Sequence, residues 1–270
     1  MTEPLVDTHV HVVSDDEVRY PLQPSGMTGP WYRDDPCSVG RLLDLMDGAG
    51  VDAAVLVQGI SAYGHDNRYT LDAAAQHPGR TTPVACIDSA GPDPIGEARR
   101  VLAAGSRGLR WVAIHDGGIL EPRGVWAVVA EHRVPVVVTI LAERLGELAA
   151  AVPTLPPVLI ALDHCGFADF SRGVPADLAE LAHFPNVSLK VSTIALDAAA
   201  AHGDVRELLP ELVACFGARR LLWGSDYSQT HDRPYAALAE YARHAASKLG
   251  DDDRAWYLRG TARFLWPELG

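Results

Sequence analysis

Two histidines one residue apart, His9 and His11, close the first strand-like run of the chain, Leu5-Val6-Asp7-Thr8-His9-Val10-His11. Alternate side chains of a strand share a face, so both imidazoles should project together, with Asp7 one layer beneath. Such a pair can chelate a divalent metal or donate two hydrogen bonds to one developing oxyanion. Two other fragments carry comparable chemistry: Asp163-His164-Cys165-Gly166 and Gly224-Ser225-Asp226-Tyr227. Each fragment is weak by itself. An isolated His-x-His is as readily a solvated strand end, a lone histidine is more often structural, and Gly-Ser-Asp turns are common. Their joint occurrence at the ends of three strand-like runs is what points to catalysis.

Eight short runs rich in Val, Ile and Leu begin near Leu5, Ala53, Thr82, Gly108, Pro135, Val158, Val187 and Leu221, each followed by a stretch with helical spacing. The runs are continuous rather than alternating, as in parallel strands covered by helices and filled inside by side chains of other strands. Ser38, Asp66 or Asn67, and Asp93-Pro94 are helix-start signals, while Gly50, Gly105, Pro153, Pro185 and Gly217 fall between a helix and the next strand. The pattern predicts an α/β fold, a single-domain (β/α)8 TIM barrel spanning 1–270, with its active site on the loops after the strands. An open doubly wound sheet is the alternative, but no Gly-rich phosphate turn follows the first strand. In a closed barrel the eighth strand neighbours the first, so Asp226 should face His9 and His11. One connection, 12–38, is roughly thirty residues long and rich in aromatics and arginines, which predicts a lid or wall over the mouth. A helix over 251–266 should pack back on the barrel.

The composition excludes several classes. Thirty-five acidic against 23 basic residues give a formal charge of −12, which disfavours non-specific attraction to nucleic acid or anionic membrane. Any anionic substrate must be met by local cations. Cys37, Cys86, Cys165 and Cys215 are scattered, with no Cys-x-x-Cys pair, so reduced cysteines and a cytoplasmic location are expected. The first strand starts too early for a signal peptide, and no apolar run reaches the length of a membrane span. The expected partner is a small-molecule substrate, with a homo-oligomer left open.

Around the central residues stand further candidates for substrate binding. Arg110, at the end of the fourth strand, could clamp a carboxylate in bidentate fashion or salt-bridge to a loop acid. Lys190 shares strand parity with Ser188 and Ser192, and a charged side chain is costly under the helices, so it should point into the barrel mouth. Tyr63, with His65, Asn67 and Arg68, follows the second strand. His115 lies just past the fourth, and Trp31, Tyr32 and Tyr227 are walls or lid packing. Asp163 should point opposite to His164 and tie loops together.

At these residues the chain resembles the amidohydrolase superfamily, and within it the amidohydrolase-related (amidohydrolase 2) family of lactonases and non-oxidative decarboxylases. The resemblance runs through Asp7-Thr8-His9-Val10-His11, Arg19-Tyr20-Pro21-Leu22, Leu162-Asp163-His164-Cys165-Gly166, Trp223-Gly224-Ser225-Asp226-Tyr227 and the ending Gly260-Thr261-Ala262-Arg263-Phe264-Leu265. It implies that Asp226 orients and deprotonates a water, that His9 and His11 hold a metal or polarise a carbonyl, and that His164 assists. The chain departs from metal-dependent relatives at strands four and five, where Leu109-Arg110-Trp111-Val112-Ala113 and Val136-Val137-Val138-Thr139-Ile140 offer no ligand. The implied cofactor is therefore none, or one zinc or manganese ion on His9, His11 and Asp226, and catalysis is expected to tolerate chelation. The function expected is hydrolytic opening of a lactone or related cyclic ester or amide. The alternatives are a metal-dependent decarboxylase of an unsaturated or aromatic acid and a catalytically silent binding barrel.

Overall fold

The computed structural model describes residues 3–25, 28–114 and 119–270. Eight parallel strands, β1 (Leu5–Val10), β2 (Val51–Val57), β3 (Thr81–Cys86), β4 (Leu109–Val112), β5 (Val136–Thr139), β6 (Ile160–Leu162), β7 (Val187–Ser192) and β8 (Leu221–Gly224), follow one another in sequence order around one sheet. Helices fill the connections, and the architecture is a TIM barrel. Helix starts fall where polar caps were read: Ser38 precedes Val39–Ala49, Asn67 precedes Arg68–Ala75, and the Asp93 carboxylate accepts from Gly96 N–H at the head of Pro94–Ala103. The Ser38 side chain makes no capping hydrogen bond, and neither does that of Asn67. Its amide instead exchanges two 2.8 Å hydrogen bonds with the backbone of Cys86, tying the loop after β2 to the end of β3.

Outward-facing Leu56, Leu109, Val136, Val138, Ile160, Leu189 and Trp223 pack under the helical layer, while Val6, Ala53, Val55, Val57, Val84, Val137, Ala161 and Leu222 form a separate inner cluster. The carboxyl-terminal segment adds to that cluster. Asp251–Ala255, a π-turn at Trp256–Gly260 and Thr261–Leu265 run against the barrel, and Ala262, Leu265, Trp266 and Leu269 join the inner cluster from below. Trp266 is fully buried with its indole N–H on the Arg107 carbonyl. The single helix expected over 251–266 is thus interrupted, and its end is a floor rather than an outer strut.

β1 departs from regular alternation. Its pairing with β2 shifts register between Asp7 and Val10, so Val6 faces inward and both histidines still do, which a strict two-residue period does not permit. Asp7 is consequently not beneath the imidazoles. It faces the outer layer, accepting from Ser225 N–H and His9 N–H and from the Tyr235 hydroxyl. Burial raises the Asp7 carboxyl above its ordinary range, against those hydrogen bonds.

The described residues of the 12–38 segment lie on the carboxyl-terminal rim, among them a short helix, Trp31–Asp34. Trp31 stacks 5.4 Å from the His11 ring and donates its indole N–H to Thr28. The segment is fastened to the β2 side by Gln23 N–H on the Ala62 carbonyl and by Tyr20 on Asp72. All four cysteines are free, and no helix among the described residues is long and apolar enough to cross a membrane.

Candidate active site

The ends of β1, β6 and β8 converge as the spacing requires. His9, His11, His164 and Asp226 are all buried at the mouth, with the His9 ring 5.0 Å from His11 and 4.8 Å from His164. Asp226 Oδ1 sits 3.6 Å from His9 Nε2 and 3.5 Å from His11 Nε2, longer than hydrogen bonds. Its other oxygen is held by Thr230 Oγ1 at 3.0 Å and Gln229 Nε2 at 3.3 Å. β8 can press this close to β1 because residue 224 is glycine: a Cβ there would stand 2.6 Å from the Cβ of His9.

The hydrogen bonds on the far sides of the rings decide what the near sides offer. His11 Nδ1 faces the Val57 carbonyl at 2.8 Å, and His9 Nδ1 faces Asp163 Oδ1 at 2.9 Å. A carbonyl and a carboxylate only accept, so both Nδ1 atoms carry the proton and both Nε2 atoms present lone pairs. Burial pulls His9 well below its ordinary value, against the attraction of Asp163, which keeps the ring neutral. Burial opposes ionisation of Asp226 as well, and it is positive charge shared with the His11, His164 and His9 cluster that shifts the carboxyl below the usual range. Three lone-pair atoms therefore converge on one buried point, and His9 Nε2 and Asp226 Oδ1 have no hydrogen-bond partner. Such a point fits a positive occupant, a divalent ion or a proton.

His164 begins an unusual turn. It and the next three residues, Cys165, Gly166 and Phe167, all have φ between 51° and 65°, a left-handed run that costs roughly 1–2 kcal/mol for each non-glycine member. The run lifts His164 from the strand end into the mouth, where its Nδ1 meets Ser192 Oγ at 2.8 Å. The serine hydroxyl can donate to Nδ1, which leaves Nε2–H for the mouth. Burial lowers His164 from its ordinary value, so this ring too is neutral. The Phe167 ring lies 4.9 Å from His164 and remains partly exposed at the rim.

Asp163 is the largest departure from the reading of the residues. Instead of tying loops, it is fully buried behind His9, with Oδ1 on His9 and Lys190 and Oδ2 accepting from Thr139 Oγ1 at 2.7 Å and lying 3.4 Å from Arg110 Nε. Burial opposes its charge, but the neighbouring His9, Lys190 and Arg110 hold it well below the carboxylate range. A signal for it existed in the sequence: a lysine pointing into a barrel requires a buried counter-charge, and Asp163 at the adjacent strand end is the acid within reach.

The other candidates divide. Arg110 reaches the mouth, its Nη1 on the Gln58 carbonyl at 3.3 Å and its side chain 11 % exposed. Lys190 lies beneath the histidines with no exposure. Tyr63 accepts from Ser14 N–H, and Tyr227 donates to Asp35 Oδ2, so both hydroxyls are committed to fastening the 12–38 loop. His115 lies outside the described residues. Among the described residues the strand-4 and strand-5 ends carry no metal ligand: Arg110 and Thr139 there both turn to Asp163.

A family model for amidohydrolases matches residues 6–267. The chain belongs to the amidohydrolase family. The enzyme is 28% identical over 241 residues to L-fucono-1,5-lactonase of Burkholderia ambifaria, with 81% of each chain covered. Among solved structures it resembles a Pseudomonas putida protein described as a 2-pyrone-4,6-dicarboxylic acid hydrolase (TM-score 0.78, 24% identity, 97% of each chain covered). It also resembles a Burkholderia multivorans amidohydrolase with bound zinc (TM-score 0.76, 21% identity, 98% of this chain and 100% of that one). A third, 2,6-dihydroxybenzoate decarboxylase from Rhizobium, aligns over both whole chains at TM-score 0.65 and 16% identity. At these identities the structural likenesses speak to fold.

Proposed function

We propose that this amidohydrolase opens a lactone or related cyclic ester of a small, oxygen-rich molecule by attack of water on the ring carbonyl. The observation that carries the reading is the buried Asp226 carboxylate, 3.6 Å from His9 Nε2 and 3.5 Å from His11 Nε2 at the barrel mouth, with His164 beside them, and the 28% identity to L-fucono-1,5-lactonase supports it. Asp226 takes a proton from water as it attacks, then returns it to the leaving ring oxygen, so the products are a hydroxy acid and a restored carboxylate. His164 presents Nε2–H to the carbonyl oxygen as negative charge develops on it. The test is to offer 1,4- and 1,5-lactones of polyhydroxy acids and follow acid release together with carbon dioxide. One equivalent of acid without carbon dioxide is expected; release of carbon dioxide from an aromatic acid, with lactones untouched, would overturn the reading.

His9, His11 and Asp226 would hold a zinc- or manganese-class ion, with waters completing its shell. When bound, that ion supplies Lewis-acid polarisation of the carbonyl. The expectation that catalysis tolerates chelation carries over as a prediction, because Asp226 supplies the proton transfers and His164 the donor to the carbonyl oxygen without the ion. Protein stripped by a strong chelator and confirmed metal-free should still open lactones. Complete loss of activity, restored by zinc or manganese, would make the ion a requirement.

Arg110 is the group we assign to an anionic or oxygen-rich substituent of the substrate, since it alone of the two inner cations reaches the mouth. Arg110→Met should raise KM for a carboxylate-bearing lactone by about tenfold or more over its effect on a neutral analogue, the scale of one charge-assisted contact. Equal losses for the two substrates would restrict Arg110 to supporting Asp163.

A further inference from the structure

Lys190 has no part in the steps above, yet it is among the most enclosed side chains of the molecule. An ammonium without solvent is costly unless paired. Burial lowers Lys190 from its ordinary value, and Asp163 opposes that shift. Its Nζ lies 3.2 Å from Asp163 Oδ1 and 3.3 Å from His9 Nδ1, and 5.8 Å from the Trp266 ring that closes the floor beneath it. Since Nδ1 already gives its proton to Asp163, the lysine proton goes to the carboxylate, and Oδ1 is shared between the two donors. Oδ2 is engaged by Thr139 and approached by Arg110 from the other side. The carboxylate is thereby fixed in both position and rotation.

We propose that Lys190 is a positioning residue that pins Asp163 so that its carboxylate receives His9 Nδ1–H, leaving His9 Nε2 as a lone pair aimed at Asp226. A free imidazole favours the opposite tautomer, with the proton on Nε2, so the surroundings of His9 must reverse that preference. Lys190 is the member of those surroundings whose ammonium, apart from its place over the Trp266 ring, is given to Asp163. The sequence expectation that Lys190 meets a substrate anion gives way to this role, because no substrate reaches a side chain sealed between Trp266 and the histidines. The inference rests on the assignment of His9 to the reacting centre but not on the identity of the substrate.

The test reads the tautomer itself. Long-range 1H–15N spectra of imidazole-labelled, metal-free protein should show His9 protonated on Nδ1 alone. In Lys190→Met, the His9 signals should move toward the Nε2–H form, and zinc affinity measured against a chromophoric chelator should fall about tenfold to a hundredfold. Should Lys190→Met fail to fold because Asp163 loses its counter-charge, Asp163→Asn with and without Lys190→Met should give the same His9 tautomer, since Lys190 acts only through Asp163; a further change on adding Lys190→Met would overturn the proposal. A folded variant in which His9 stays wholly on Nδ1–H, with zinc affinity unchanged, would overturn the proposal. Absence of lactone turnover in the parent protein would sink the lactone reading and leave the tautomer result standing.

Discussion

Asp226→Asn should fold like the parent protein and turn over lactone at least about a hundredfold more slowly, the usual scale for loss of a positioned general base. The backbone at Asp226 is left-handed, with φ of 60°, a conformation asparagine adopts as readily as aspartate. The amide oxygen can keep the hydrogen bonds from Thr230 and Gln229, and the amide nitrogen would face the two Nε2 lone pairs that Asp226 Oδ1 now faces. The substitution therefore relieves a crowding of acceptors while removing the group that accepts the water's proton. Stability and rate should separate, with thermal unfolding unchanged or slightly raised and kcat lowered. Near-normal kcat in a folded variant would remove Asp226 from the proton transfers.

The second large effect is expected at His164. His164→Asn should lower kcat by about 10²–10³, the range found when one oxyanion donor is removed. Asparagine is again suited to a left-handed backbone, here at φ of 53°, and its shorter amide cannot span from Ser192 to the carbonyl. A helpful comparison is Ser192→Ala, which leaves the imidazole but frees Nδ1 from its 2.8 Å contact; it should cost less than His164→Asn. If His164→Asn left kcat intact while Ser192→Ala lowered it, the donor would have to be sought elsewhere.

Strand order and the three catalytic strand ends were legible because both follow from periodicities the chain cannot hide. Continuous Val- and Ile-rich runs separated by helical spacing leave few topologies, and barrel closure then sets β8 beside β1, bringing Asp226 to His9. What escaped has physical causes. The bulge between Asp7 and Val10 depends on cross-strand register, which strict alternation along one strand cannot express, and so Asp7 faces outward where alternation puts it inward. Asp163 was misplaced because the left-handed turn beginning at His164 abolishes the alternation that set the two side chains apart. Lys190 points into the barrel as its strand parity requires but lies deeper than the mouth, because the Trp266 floor is a tertiary contact from the far end of the chain. Ser192 and the Val57 carbonyl, which orient His164 and His11, carry no signature in a sequence at all.

The seam between β1 and β8 has a bearing on when the site exists at all. The other seven neighbouring pairs share ladders of two or more residue pairs, but here the junction rests on one isolated bridge between Val10 and Tyr227, Asp226 N–H on the His9 carbonyl, His11 N–H on the Tyr227 carbonyl, the Thr8 and Ser225 hydroxyls on the Trp223 and His9 carbonyls, and Ser225 N–H on Asp7. His9 and His11 stand on one bank of this junction and Asp226 on the other. Two segments more than two hundred residues apart must meet before any of the three has its partner, and such contacts are entropically the last to be gained in folding. Sparse pairing also makes a junction prone to local opening. Turnover in this enzyme is thus a gauge of ring closure: helices and seven strand pairings can be in place while the protein is still catalytically mute.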